Sequence, residues 1–315
     1  MAVAVVVAAC SAQVVSTSTP AGSVGPPSAS VGVSTPPAST AVASPLGIVV
    51  GGDRPVTVRV SPSFDPTRPA PLLIVLHGYT GSGSGMEEYF GLQREAEQRG
   101  FVTAYPDGTR DSRGDRFWNA TDACCNFYGS DVDDVGYLDS LITAIEAAVA
   151  VDPRRVYVAG HSNGGFMSYR LACAHADRIA AIVSLAGATF ANASDCRPAN
   201  PVAVLQIHGT ADDTIAFSGG SIDGHAFPGA EESAATWATY DGCAAVPSTV
   251  DERVDVDADL TNAGQPAEAT VKRWSGCRPG GAVELWTIPG GGHVPTISSA
   301  FGGAVLDFLE AHPKP

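Results

Sequence analysis

The sequence predicts a three-layer α/β domain with a mostly parallel central sheet and helices on both faces. Three observations carry that reading. Strand-length apolar runs alternate with helix-compatible segments from about residue 46 to the end of the 315-residue chain. Several of those runs, such as Leu72-Leu-Ile-Val-Leu76, are apolar at every position rather than at every second one, as expected for strands covered on both faces. Finally, Val156-Tyr-Val-Ala-Gly160 runs directly into His161-Ser162-Asn163-Gly164-Gly165, a sharp strand-to-helix turn.

In chain order, Ile48-Val49-Val50 and Val56-Thr57-Val58-Arg59-Val60 flank Gly51-Gly52-Asp53 and read as an opening hairpin. The buried run to Leu76 follows, then a helix over Met86 to Gln98 and a strand at Phe101 to Ala104. Tyr137 to Ala150 has apolar residues at Leu138, Leu141, Ile142 and Ile145, one face of a helix, with Asp152-Pro153 as its stop. After the turn at Ser162 come a helix over Phe166 to His175 and strands at Ile179 to Leu185 and Val202 to Ile207. A helix over Glu231 to Tyr240, a strand at Val283 to Ile288 and a helix over Ala300 to Ala311 complete the domain, assigned to residues 46–315. The stretch from Gly242 to Arg278 reads as an insertion.

Residues 11–45 are almost all Ser, Thr, Pro, Ala, Val and Gly without charge, a composition that builds no core and reads as a disordered tether. Ahead of it, Val7-Ala8-Ala9-Cys10 resembles a bacterial lipobox, with small residues before a cysteine that is lipidated after cleavage; no Lys or Arg follows Met1. The expectation is a signal segment over residues 1–10, an anchor at Cys10, and an extracellular, cell-surface bacterial lipoprotein, with an uncleaved or plain secretory signal as the alternative. A formal charge of −15 argues against nucleic acid or an anionic membrane as a partner, so a membrane is expected only through that anchor. Setting Cys10 apart from the seven cysteines leaves an even set for an oxidising compartment. Cys243 and Cys277 bracket the insertion and are expected to pair. Cys124, Cys125, Cys173 and Cys196 allow three connectivities; Cys173–Cys196 is favoured and requires a vicinal Cys124–Cys125 bridge. No zinc spacing matches them.

The chemistry rests on order. By itself Gly-x-Ser-x-Gly is weak, with about 0.3 chance matches expected in a chain of this composition. A serine hydroxyl becomes a nucleophile when a histidine accepts its proton and a carboxylate orients that histidine. Downstream of Ser162, two loops follow late strands. His208-Gly209-Thr210-Ala211-Asp212-Asp213 offers two candidate acids, and Gly290-Gly291-Gly292-His293 offers the base. His77, His161 and His208 sit too near strand ends for that role. The glycine-rich loop His77-Gly78-Tyr79-Thr80-Gly81 after the early buried strand nominates the Tyr79 N–H, with Thr80 in reserve, as oxyanion donor beside the Asn163 N–H at the helix start. Such chemistry needs no metal and no organic cofactor.

Taken together, these stretches resemble carbohydrate esterase family 1 and the related polyhydroxybutyrate depolymerases. The matching residues are Leu76-His-Gly-Tyr79, Trp118-Asn119 with Cys124-Cys125, Asp133-Asp-Val-Gly-Tyr137, Gly160-His-Ser-Asn-Gly-Gly165, His208-Gly-Thr-Ala-Asp212 and Gly291-Gly-His293. The resemblance implies an α/β-hydrolase fold, Asp212 rather than Asp213 as triad acid, and Trp118 and Asn119 near the substrate. It also implies a serine esterase acting on feruloyl or acetyl esters of plant polysaccharide, with a short-chain polyester depolymerase as the alternative. Val294-Pro295 stands where the family often carries Trp-Pro, which leaves the leaving-group side undefined. A surface-binding lipoprotein without turnover is the rival of another class. The full set of nucleophile, acid and base argues against it.

Overall fold

Residues 47–260 and 267–315 are described by a computed structural model. The expected signal segment, the tether and Cys10 lie outside these residues. In chain order the elements are β1 (Ile48–Val50), β2 (Val56–Val60), β3 (Ala70–Leu76), α1 (Gly83–Phe90), α2 (Gln93–Gln98), β4 (Val102–Ala104), β5 (Thr109–Arg110), β6 (Arg116–Phe117), α3 (Asp134–Ala148), β7 (Val151–His161), α4 (Asn163–Ala174), β8 (Ala181–Leu185), β9 (Ala203–Gly209), β10 (Gly219–Ile222), β11 (His225–Pro228), α5 (Ala230–Tyr240), β12 (Ser248–Val254), β13 (Ala269–Trp274), β14 (Val283–Ile288) and α6 (Phe301–Ala311).

Ten strands form one sheet in the order β1-β2-β4-β3-β7-β8-β9-β14-β13-β12. The middle six, β4 through β14, pair in parallel, and antiparallel strands finish both edges. The period-two geometry of a strand divides each continuous apolar run between two cores. Leu72, Ile74 and Leu76 of β3 join Leu138, Leu141, Phe166 and Trp237 on the face covered by α3, α4 and α5. Leu73 and Val75 face the other way, toward Met86, Phe90, Phe301 and Leu306 of α1 and α6. β7 does the same, with Val156 and Val158 on one side and Tyr157 and Ala159 on the other.

Where the structure departs from the sequence reading, local chemistry explains it. The helix expected over 86–98 is two helices, because Gly91 adopts φ 60° and its N–H caps α1 on the Glu87 carbonyl. The helix expected from Tyr137 begins at Asp134, where the Asp133 carboxylate caps the Gly136 N–H at 2.8 Å. That helix ends at Ala148, and Pro153 lies within β7 instead of a turn. The stretch Gly242–Arg278 is no appendage: it supplies β12 and β13, which extend the main sheet. β12 carries Asp251, Glu252 and Arg253 outward, the charged surface that keeps an edge strand from pairing with another chain. The described cysteines pair as Cys124–Cys125, Cys173–Cys196 and Cys243–Cys277.

One buried group makes stability depend on pH. Asp241, at the end of α5, is fully buried. Its Oδ1 accepts the Val202 N–H at 3.1 Å, while Oδ2 has no hydrogen-bond partner among the described residues. Burial pushes this carboxyl up to about 7 against the smaller opposing pull of the Val202 N–H and of Arg278 and Lys314. The folded state therefore holds this proton more tightly than the unfolded chain, whose carboxyl titrates near ~3.9. The contribution is fully present below that unfolded value and is lost as pH rises to about 7, where the folded carboxyl ionises. Asp241→Asn should gain stability over wild type by on the order of 3 kcal/mol between pH ~4 and ~8. Urea melts across that range check it, and parallel curves for the two proteins would refute it.

Candidate active site

The carboxyl ends of β3, β7, β9 and β14 bring the sequence-nominated residues to one place. β7 ends at His161 and α4 begins at Asn163, which leaves Ser162 alone on the turn at φ 53°, ψ −120°. A non-glycine residue there costs about 1–3 kcal/mol and must be held by its surroundings. Its neighbours must also be bare. A β-carbon on Gly160 would sit 2.2 Å from the Gly164 carbonyl oxygen, and one on Gly164 would sit 2.2 Å from the Leu76 carbonyl oxygen. The Ser162 N–H donates to the Leu185 carbonyl at 2.8 Å, which fastens the turn to β8.

Ser162 Oγ lies 2.9 Å from His293 Nε2, and His293 Nδ1 lies 2.8 Å from Asp212 Oδ2. The two loops that carry the acid and the imidazole are zipped together. Thr210 N–H donates to the Ile288 carbonyl at 3.0 Å, Ala211 N–H to the Gly291 carbonyl at 2.9 Å, and Gly290 N–H to Thr210 Oγ1 at 2.8 Å. Asp212 is buried and Asp213 exposed, and it is Asp212 that turns toward His293. Burial favours the neutral acid at Asp212, but hydrogen bonds from His208, His293 and the Ile215 N–H outweigh it. They hold the carboxyl well below the usual carboxylate range.

The histidines passed over as bases have other work. His161 Nε2–H donates to the backbone carbonyl of His293 at 2.8 Å, and the two rings lie 4.9 Å apart. Burial, assisted by the neighbouring His293, pushes His161 down to about 4, so it stays neutral and serves as a strut. Tyr89 O–H supports the same loop through the Pro295 carbonyl at 3.1 Å. His77 is buried, donates from Nδ1 to the Gly78 carbonyl at 2.7 Å and accepts the Gly108 N–H at Nε2, 2.9 Å away; burial lowers its proton affinity. None of these roles has a sequence signal beyond position near a strand end.

Two backbone amides beside Ser162 are uncommitted among the described residues. No acceptor takes the Tyr79 N–H among the described residues, and the Asn163 N–H opens α4, where helix donors lack intrahelical partners. The reserve donor is ruled out by geometry, since the Thr80 N–H is committed to the Arg116 carbonyl at 2.8 Å.

Trp118 requires a correction. Trp118 has no exposed surface: its indole N–H donates to the His77 carbonyl at 3.0 Å, and its backbone N–H and C=O are clasped by the Asn163 carboxamide at 2.7 and 2.9 Å. It is a clamp between the turn at Ser162 and the Tyr79 loop, without a face to offer substrate. Asn119 is half-buried; its carboxamide donates to the Val132 carbonyl at 2.9 Å and its backbone N–H to Asp134 at 2.7 Å. The residues that do line the ≈460 Å³ cleft over Ser162 include Tyr79, Met86, Tyr89, Arg116, His293 and Val294. Met86 and Tyr89 went unnoticed in the sequence because they look like ordinary core positions of a helix. A larger cleft of ≈710 Å³, beside Arg170, Phe190 and His225, contains none of the serine, histidine or aspartate of this site.

A mostly parallel sheet, a strained strand-to-helix turn at Ser162 after its central strand, and loops carrying Asp212 and His293 after later strands define the α/β-hydrolase fold. The chain belongs to the Esterase PHB depolymerase family, whose model matches residues 60–250. It is 31% identical over 252 residues to Feruloyl esterase B of Piromyces equi, covering 76% of this chain and 42% of that protein. It is 34% identical to Putative esterase NocK of Nocardia uniformis subsp. tsuyamanensis, over 55% of this chain and 49% of that one. The chain thus spans about half the length of the curated relatives it matches. Among solved structures, an acetyl xylan esterase from Aspergillus awamori superposes with a TM-score of 0.59 at 15% identity, covering 84% of this chain and 98% of the other. At that identity the likeness is one of fold.

Proposed function

We propose that this chain is an exported serine esterase. The observation that carries the reading is the unbroken run of hydrogen bonds from Ser162 Oγ through His293 to Asp212, opening on a cleft of ≈460 Å³. In the proposed reaction Ser162 Oγ attacks the ester carbonyl while His293 Nε2 takes its proton. The carbonyl oxygen becomes an oxyanion held by the N–H groups of Tyr79 and Asn163. His293 then protonates the departing alcohol, and a water repeats the sequence on the acyl-enzyme. Asp212 keeps the His293 proton on Nδ1, which leaves Nε2 free to accept.

For the substrate, a relative's name supports a feruloyl ester, and the apolar wall of Met86 and Tyr89 suits a flat acyl group; acetyl esters and plant polysaccharide enter through the family resemblance read from the sequence. The family's description supports a second reading, short-chain polyhydroxyalkanoate. Three disulfides accord with export. Lipid attachment at Cys10 is part of the proposal.

A fluorophosphonate probe should add to Ser162 and to no other serine, as read by peptide mass spectrometry. The same measurement on exported protein should find an acylated N-terminal Cys10. Labelling elsewhere, or none, would overturn the nucleophile. Methyl ferulate, acetylated xylan and hydroxybutyrate oligomers assayed side by side should rank with an aromatic or acetyl ester first; turnover of the oligomers alone would replace the first substrate reading with the second.

A further inference from the structure

Behind Asp212 lies a second, fully buried set of polar side chains that the reaction above leaves unused. Tyr169 O–H donates to Gln206 Oε1 at 2.8 Å. The Gln206 NH₂ group donates to the Gly187 carbonyl at 2.9 Å and meets His208 Nδ1 at 3.0 Å. His208 Nε2 faces the Ile215 carbonyl at 2.7 Å and Asp212 Oδ2 at 3.2 Å. Tyr169 and Gln206 are 0% exposed and His208 1%, so water corrects nothing here.

The protons in this set follow from one group that can only accept. A carbonyl oxygen has no hydrogen, so Gly187 fixes the side of Gln206 that carries NH₂, and the remaining N–H points at His208. Nδ1 of His208 must then be the bare nitrogen. Its proton sits on Nε2, between the Ile215 carbonyl and the Asp212 carboxylate. A second proton on Nδ1 would face the Gln206 NH₂, donor against donor.

We propose that His208 is a positioning residue for the acid: its Nε2–H, aimed by Gln206, makes Asp212 Oδ2 an acceptor shared between two imidazoles. Asp212 Oδ1 is already saturated by the Thr214 and Ile215 N–H groups at 2.9 and 2.8 Å. His208 therefore completes a four-donor shell around an ionised carboxylate, and its hydrogen bond is foremost among the interactions that hold Asp212 below the usual range. Charge drawn toward His208 is charge withdrawn from the His293 imidazolium. The other groups facing His293 are the neutral His161 on the β7 side, Ser162, and Arg116, which lines the same cleft and pairs with Asp107 at 2.9 Å. None of them touches Asp212 Oδ2 from behind.

The proposal rests on the triad reading in its consequence for rate, but its direct readout does not need turnover. His208→Asn keeps an acceptor for Gln206 and is too short to reach Asp212; His208→Gln keeps an N–H at the reach of Nε2. In ¹H NMR the downfield His293 Nδ1–H resonance should leave its wild-type position in His208→Asn and keep it in His208→Gln. With p-nitrophenyl acetate, kcat should change with KM unmoved in His208→Asn alone. A residue that only fills space would lower the melting temperature in both variants and move neither the resonance nor kcat, and that outcome overturns the proposal. In the unmodified protein ¹⁵N shifts should place the His208 proton on Nε2 and leave Nδ1 bare. A proton on Nδ1 overturns the proposal without any variant. Loss of Ser162 labelling with these NMR results intact would defeat the esterase reading and leave the placement of His208 standing.

Discussion

Replacing Ser162 by alanine is expected to cut hydrolysis of p-nitrophenyl acetate by at least ~10⁴-fold, down to what the Tyr79 and Asn163 N–H groups achieve alone. The fold should be indifferent. Ser162 makes its structural bonds through its backbone, to Leu185 and Phe166, and among the described residues its hydroxyl engages only His293. The melting temperature should therefore stay within about 2 °C of wild type. Residual activity above about 1% would remove Ser162 as nucleophile. A large fall in melting temperature would mean that activity was lost by unfolding.

Asp212→Asn should cost on the order of 10⁴-fold in kcat while the geometry survives, and the surroundings of Asp212 dictate why. Two backbone N–H groups point at Oδ1, so an asparagine must place its oxygen there. Its NH₂ then falls where Oδ2 was and meets His293 Nδ1 as a donor. The imidazole responds by moving its proton to Nε2, where it donates to Ser162 Oγ and cannot accept from it. The same NH₂ also confronts the Nε2–H of His208, which adds to the cost. Kinetics with p-nitrophenyl acetate and ¹⁵N shifts of His293 read both effects. A loss of under tenfold would assign the orienting role elsewhere, with Asp213 the first alternative.

The elements most legible in the sequence are those whose side chains must be apolar on both faces. β3, β7, β8, β9 and β14 lie within one to three residues of the runs that announce them, except that β7 extends upstream through Pro153 and its two arginines. β12 was not legible, because an edge strand with a single buried residue, Val254, needs no apolar pattern. The hairpins β5–β6 and β10–β11 are two to four residues per strand and too short to carry a period. Within the candidate site, glycines and chain order marked out Ser162, His293 and the pair Asp212-Asp213, since a nucleophile turn excludes bulk two residues either side and the acid and imidazole loops follow late strands; the family resemblance chose Asp212. The cleft lining was less legible. Trp118 invites a stacking role by residue type, yet its indole N–H found a carbonyl inside the protein, and no local pattern announces that. His208 shows the same limit: its tautomer depends on Gln206 and Gly187, two residues and 21 residues away along the chain.

The pairing of β9 with β14 has a consequence for how this protein can change. These strands are adjacent and in fixed parallel register, and the acid and imidazole loops leave their ends side by side. Everything between Gly209 and Val283, including α5 and the edge strands β12 and β13, departs from one strand and returns to its neighbour. The spacing of Asp212 and His293 is thus insulated from the length of most of that excursion. An added surface loop or whole module at an exposed turn of that excursion, such as Asp223-Gly224 between β10 and β11, lengthens a closed circuit at an entropic cost that grows only logarithmically. The molecule has a built-in port where new specificity for a large substrate can be grafted without retuning the chemistry.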